Sequence, residues 1–322
     1  MVLQMLTSLI LFPKSSNSAS VLFILKREQP VVSKKYAWTR TFIPLSKELM
    51  NRISIGLLTL CFIVSCTEKK APDTKTTPSE PEKFIPKIDY TVTATLPHDV
   101  NAFTEGLVFY NGELFESTGS PENISTTRSV FGPVDLKTGK INVKAELDRK
   151  EFFGEGIAFL NDKVYQLTYK NKIGFIYDAK SFKSLGRFSF SNEEGWGLTT
   201  DGTSLIMSDG SNVLTYLDAA TLKPLKTLNV RNAGYAEDYL NELEYINGYI
   251  YANVWTKNYV VKIDPATGDI TGILDLSLLM DKAKSKYADA NVLNGIAYDP
   301  ASDKIVVTGK LWPEIYEISF KH

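Results

Sequence analysis

Cysteine and histidine are the scarcest reactive residues of this 322-residue chain, with two of each. Cys61 and Cys66 both lie ahead of the patterned part of the sequence, so no disulfide can staple the fold. The histidines are His98 and His322, and two imidazoles without a thiolate do not make a zinc site of the usual nitrogen and sulfur kind. No metal or other cofactor is therefore expected, although carboxylate-bound calcium stays open. An excess of positive charge is also missing: 36 Lys and Arg stand against 37 Asp and Glu, and no basic stripe interrupts the chain, which argues against a nucleic-acid partner. Long apolar runs are lacking too. The one following Arg52, from Ile53 to Val64, has roughly a dozen residues where about 20 are needed to span a bilayer.

What the chain does have is aromatic residues and a repeat. Apolar residues make up 43%, including 17 Phe and 16 Tyr, enough for a large core. The stretch FFGEGIAFLNDKVYQLTYK, residues 152–170, sets a pattern of a carboxylate between glycines, an apolar strand, a tight turn and a second strand. Four other segments share it: FTEGLVFYNGELFESTG, EGWGLTTDGTSLIMSDG, NELEYINGYIYANVW and LNGIAYDPASDKIVVTGK. Aligned on Leu107, Ile157, Leu198, Leu243 and Ile296, the copies are 50, 41, 45 and 53 residues apart. Strand-containing repeats of this period indicate propeller blades. NG, ND or DG at the hairpin turns supply the positive backbone angles that a two-residue loop requires. A second motif, VDLKTGK, YDAKSFK, LDAATLK and IDPATGD, adds an aspartate-headed turn between two further strands, giving four strands per unit.

The predicted fold is all-β, a five-bladed propeller of four-stranded antiparallel blades over residues 88–320. Only four complete outer halves follow the five inner hairpins. The amino-terminal strand Ile88–Leu96 is therefore expected beside Glu314–Phe320, closing the ring and hiding its edges. Upstream, residues 50–65 read as a signal peptide ending in Ile63-Val64-Ser65 before Cys66, which resembles a bacterial lipobox. Cys66 would then carry the lipid, and residues 66–87, rich in Lys, Thr, Pro and Glu, would be a flexible tether. Residues 1–49 have no evident role and read as an upstream extension, with Met50 as the expected start. These signals imply an exported lipoprotein of the bacterial cell envelope, on the periplasmic side or the cell surface. A monomer held to the membrane through Cys66 is expected.

In a propeller the first strand of each blade lines the channel, so the residue before each first strand should reach towards the axis at one mouth. That position holds Glu105, Glu155, Trp196, Asn241 and Asn294. A neighbouring ring, near the end of each second strand, holds Gly119, Tyr169, Gly210, Trp255 and Lys310. Two carboxylates, two amides, a lysine and several aromatics around one opening form a candidate binding site. Water filling a polar channel, with tryptophans as plain packing, is the alternative for any one residue.

At these residues the sequence also resembles the plant and bacterial type of glutaminyl-peptide cyclotransferase. The resemblance runs from about Tyr90 to Phe320 through FTEGL, FGEGIAF, EGWGLTTDG, LIMSDG, NELEYINGYIYANVW, IDPATG, LNGIAYD and TGKLWP, in order. It implies a five-bladed propeller that converts an amino-terminal glutamine into pyroglutamate with release of ammonia, acting on peptides or proteins that begin with Gln. The family's catalytic acid/base falls on Glu155, and its other site positions on Trp196, Asn241, Trp255 and Lys310. Two positions depart from the family pattern: Glu105 stands where glutamine is frequent, and Tyr169 where tryptophan is common. Chemically, Glu155 could move a proton from the attacking amine to the departing nitrogen, with Lys310 and Asn241 holding the amide oxygen. Glu105, Tyr169, Trp196, Trp255 and Asn294 would hold the substrate. A non-catalytic propeller that binds a peptide or glycan, and a metal-dependent lyase or lactonase propeller, are the competing readings.

Overall fold

The computed structural model describes residues 84–322 and a short antiparallel pair, Ser20–Leu22 with Phe42–Pro44. The signal peptide, Cys66 and most of the expected tether lie outside the described residues. Five sheets of a β-propeller follow one another along the chain. Blade two is built from Gly154–Leu160, Lys163–Thr168, Ile173–Asp178 and Ser184–Ser189. Blade three consists of Leu198–Thr200, Ser204–Met207, Val213–Asp218 and Pro224–Asn229. Blade four consists of Leu240–Ile246, Tyr249–Val254, Tyr259–Ile263 and Ile270–Asp275. Each is a meander of antiparallel neighbours, the innermost strand first.

Blades one and five carry the exceptions. In blade one, Phe103–Tyr110, Glu113–Gly119 and Val130–Asp135 are followed by a broken outer edge, Lys140–Ile141 and Ala145–Glu146. Pro133 in the third strand has no N–H to offer that edge, and the ladder interrupts beside it. Blade five takes Leu293–Asp299, Lys304–Gly309 and Glu314–Phe320 from the end of the chain. Its outer strand is Tyr90–Pro97, paired antiparallel from Phe320↔Tyr90 to Glu314↔Pro97. The ring is thus closed by the amino-terminal strand, as the missing outer half required. Contacts with the ring begin a little earlier than Ile88. Pro86 O accepts from Ile273 N and Ile88 N donates to Ile273 O, so residues at the end of the stretch read as tether lie along blade four.

The turns follow their side chains. Asn111-Gly112 and Asn247-Gly248 both have positive φ at both residues, as do Asn161 and Asp162, the geometry of a two-residue hairpin loop. Asp135, Asp178, Asp218 and Asp264 accept backbone N–H bonds two or three residues on, fixing the outer turns. Each of these turns ends on a positive-φ residue: Gly139, Phe182, Leu222 and Gly268. At Gly268 a Cβ would lie 2.1 Å from Asn229 O of the previous blade, so only glycine fits. Phe182 and Leu222 instead pack their side chains against the interior.

The core lies between blades. Phe115, Phe131, Ile157 and Val164 join blades one and two, while Leu167, Leu198 and Leu205 join two and three. Leu214, Leu243 and Val261 join three and four; Tyr251, Leu274, Ile296 and Val307 join four and five; Leu107, Ala297 and Ile315 join five and one. The single described α-helix, Ser277–Lys286, inserts Leu279 and Ala283 into the fourth of these seams, which accounts for the longest repeat step. A buried polar latch also crosses the closure. His98 Nδ1 lies 2.8 Å from Trp312 O and its Nε2 3.0 Å from Glu116 Oε1, while Thr104 Oγ1 donates to Glu116 at 2.7 Å.

Candidate active site

The local backbone explains why polar residues can stand at the mouth. In blades one, two, four and five the pairing of the first two strands slips at Glu105, Glu155, Asn241 and Asn294. Such bulges leave a residue outside the ladder and re-aim its side chain. Gly106, Gly156 and Gly295 follow Glu105, Glu155 and Asn294, Gly197 follows Trp196 in blade three, and Glu242 follows Asn241 in blade four. A Cβ at Gly156 would sit 2.5 Å from Leu198 N, and one at Gly197 would sit 2.1 Å from Asn241 O. Glycine is therefore what lets neighbouring inner strands approach closely enough to bring their polar residues together.

The second ring lies beside the first, as inferred from the hairpin geometry. Tyr169 N donates to Phe153 O, Trp255 N to Tyr239 O, and Lys310 N to Val292 O. Glu105, Glu155 and Lys310 meet, with exposures of 1%, 5% and 6%. Lys310 Nζ is 2.7 Å from Glu105 Oε2 and 2.8 Å from Oε1, so the lysine grips that carboxylate with two of its three donors. Asn294 Nδ2 donates to Thr104 O at 2.9 Å and lies 3.4 Å from Glu105 Oε2. The two carboxyls lie close enough for each to shift the other.

Donor count separates the pair. Glu105 faces an ammonium and an amide, which favour its charged form. Burial pushes its carboxyl upward and Lys310 opposes that. Glu155 has no such partner. Burial raises its carboxyl well above the usual carboxylate range, and the charge of Glu105 raises it further against the weaker pull of Lys310. Of the two, Glu155 is therefore the readier to hold a proton and Glu105, gripped by Lys310, the readier to carry the charge.

Aromatic rings wall the carboxyls. Phe103 lies under Lys310 Nζ, 4.8 Å from the ring centre, and meets Phe153 edge-on at 6.2 Å. Phe153 contacts Tyr169 at 5.8 Å, and Trp196 meets Trp255 edge-on at 5.8 Å. Trp196 Nε1 donates to Glu194 Oε2 at 2.9 Å, which fixes the indole. Gly119 and Gly210, the small members of the second ring, make room for these rings: a Cβ on them would lie 2.1 Å from the Phe153 ring and 2.6 Å from the Trp196 ring. Asn241 Oδ1 and Asn294 Oδ1 are buried without a hydrogen-bond partner among the described residues. Unpartnered buried acceptors of this kind are what a ligand N–H would satisfy.

The sequence profile of the glutamine cyclotransferase family matches residues 58–320. This chain belongs to the glutamine cyclotransferase family. It is 40% identical over 232 residues to the glutaminyl-peptide cyclotransferase of Arabidopsis thaliana, covering 71% of each chain. It also superposes on the crystal structure of Myxococcus xanthus glutaminyl cyclase with a TM-score of 0.67 and 33% identity, covering 74% of this chain and 99% of that one.

The structure brings Glu105, Glu155, Lys310 and Asn294 together, links Tyr169 to them through Phe153 and Phe103, pairs Trp196 with Trp255 and buries Asn241 on the inner strand of blade four, but Lys310 is more committed to Glu105 than its expected role supposed. Sequence reasoning missed Phe103 and Phe153, two positions before Glu105 and Glu155. It also missed Glu242, which stands in the column that is glycine in the other four blades. The Glu242 carboxyl crosses the channel, accepting from Leu107 N at 3.1 Å and Ile296 N at 2.8 Å. Glu244 accepts from Tyr298 N at 2.9 Å. Reading the alignment one column further would have exposed Glu242. Among the described residues no group of three or more His, Cys, Asp or Glu is arranged to hold a metal ion.

Proposed function

We propose that the mouth built by Glu105, Glu155 and Lys310 cyclises the amino-terminal glutamine of peptides or proteins to pyroglutamate, releasing ammonia, as a glutaminyl-peptide cyclotransferase. The observation that carries this is the buried Glu155, its carboxyl raised well above the usual range, beside the Lys310-paired Glu105 within aromatic walls. A peptide amine with a pKa of about 7.7 to 8 is mostly protonated near physiological pH, but freeing it costs only about 1 kcal/mol, so the harder step is expelling nitrogen from the amide. The amine nitrogen attacks the side-chain amide carbon, forming the ring C–N bond. The Glu155 hydroxyl then gives its proton to the departing nitrogen as the old C–N bond breaks, and its carboxylate takes the proton that the attacking nitrogen sheds. The proton count closes, and Glu155 ends as it began.

Lys310 has one N–H left after gripping Glu105, and that donor suits the amide oxygen as it gains charge. Asn241 supports the same end of the substrate, and the unpartnered oxygen of Asn294 suits a substrate N–H. Glu105 and the indoles of Trp196 and Trp255 offer an anion and aromatic faces to the incoming ammonium before it loses its proton. Tyr169 closes the wall. Because the reaction is intramolecular, folding the glutamine side chain back onto its own amine contributes much of the rate.

The same proposal extends to location. A lipid on Cys66 following the signal-like residues 50–65, with the polar stretch from Thr67 to Lys83 as a spacer, would hold a monomeric propeller at a bacterial cell envelope. Its support is the sequence pattern alone. Ammonia release from a glutaminyl dipeptide tests the activity, and a non-catalytic binding propeller would release none. Mass spectrometry of the amino terminus tests acylation of Cys66.

A further inference from the structure

The column two residues before the bulge holds Phe103 in blade one, Phe153 in blade two and Tyr239 in blade four. The two phenylalanines are half-buried and form the inner wall, whereas Tyr239 is 52% exposed. Its ring lies 5.9 Å from that of Trp255, so the aromatic series Trp196, Trp255, Tyr239 continues outward from the pocket with rising exposure.

Tyr239 is held there at a conformational cost. Its φ is 68°, in the left-handed region that a residue with a Cβ rarely adopts, so folding alone would favour glycine. The backbone is pinned on both sides: Tyr239 N donates to Gly210 O at 2.9 Å, and Tyr239 O accepts from Trp255 N at 2.8 Å. The preceding residues are fixed as well. Glu237 accepts from Asn232 Nδ2 at 2.6 Å and from Tyr259 OH at 3.0 Å, and Asp238 accepts from Asn212 N at 3.1 Å. A rigid support therefore presents an exposed ring whose hydroxyl makes no hydrogen bond with the described residues.

We propose that Tyr239, with the outer face of Trp255, forms a subsite for the side chain of the residue that follows the amino-terminal glutamine, and that this subsite favours an aromatic side chain. The proposal rests on the cyclisation reading above and adds its substrate preference. With the glutamine in the pocket, the next residue lies only about 3.3 to 3.6 Å further along an extended chain, so its side chain emerges where these two rings stand. A preorganised pair of rings binds a third ring without ordering a loop first.

The test compares Gln-Phe-NH2, Gln-Gly-NH2 and Gln-Gly-Phe-NH2 on the wild type and on Tyr239→Gly. That variant removes the ring and also relaxes the backbone, so loss of folding is not at issue. The expected result is a kcat/KM for Gln-Phe-NH2 that falls about 5- to 10-fold, mostly through KM, with Gln-Gly-NH2 within about 2-fold of wild type. An equal fall on both dipeptides, no fall on either, or a fall confined to Gln-Gly-Phe-NH2 would overturn it. Should the wild type turn over none of the peptides, the cyclisation reading fails, and calorimetric binding of the two dipeptides to the same pair of proteins still decides the subsite.

Discussion

Replacing Glu244 by glutamine should make the propeller more stable than the wild type at alkaline pH, and the size of that gain can be worked out. Glu244 lies on the inner strand of blade four and bridges to its neighbours through Tyr298 N at 2.9 Å and Thr199 Oγ1 at 3.4 Å. Burial pushes its carboxyl from 4.5 up to about 8, against the opposing pull of those bonds. A carboxyl whose folded pKa is raised binds its proton more tightly in the fold than in the unfolded chain. Its contribution is fully present below about pH 4.5 and is lost progressively as pH rises through about 8. A gap of about 3.5 pH units at 1.36 kcal/mol each gives at most about 5 kcal/mol, less where water relaxes the buried charge. Glutamine keeps an acceptor for Tyr298 N and can donate to Thr199, so the variant retains the bonds without the titration. Urea unfolding at pH 5, 6, 7 and 8 should show the stability of Glu244→Gln gaining on the wild type by about 2 to 3.5 kcal/mol across the series. Glu242, raised first by burial and then by the charge of Glu244, is relieved by the same substitution, so its titration shifts the difference in the same direction. Parallel curves would refute the reasoning, because they would mean that Glu244 is ionised in the fold at every pH.

Glu105→Gln removes the charge that raises Glu155 and frees Lys310 to lower it, so the alkaline fall of kcat/KM should move to lower pH; an unmoved limb would separate Glu155 from that titration. Gly119→Ala would place a methyl 2.1 Å from the Phe153 ring, which must turn out of the wall. A loss of about 1 to 3 kcal/mol in stability and a raised KM are expected, and an unchanged KM would show that Phe153 does not contact substrate.

The architecture could be read from the chain because its signals are local and repeated. Turn dipeptides such as Asn111-Gly112 and the aspartate-headed turns occur at nearly fixed offsets, and the shortage of one outer half pointed to the amino-terminal strand. The mouth followed from the same periodicity, since equivalent positions of a closed ring must face one another. What escaped were features set by approach between blades rather than within them. Glu242 hydrogen-bonds to backbone N–H groups of blades one and five, 135 and 54 residues away, and no local pattern encodes those partners. The grip of Glu105 on Lys310 spans 205 residues, so the sequence placed both at the mouth without showing that one would occupy the other. The pairing of His98 with Glu116 was hidden for the same reason, since each residue alone reads as an ordinary strand-end or strand position.

In the proposed mechanism a protonated Glu155 drives ammonia from an amino-terminal glutamine. Its most direct test is ammonia release from Gln-Gly-NH2 by the wild type and by Glu155→Gln, with folding monitored by thermal unfolding. Steady release by the wild type is expected, with a fall of roughly 100- to 10,000-fold in kcat for a variant that stays folded. Wild-type rates in that variant would contradict it.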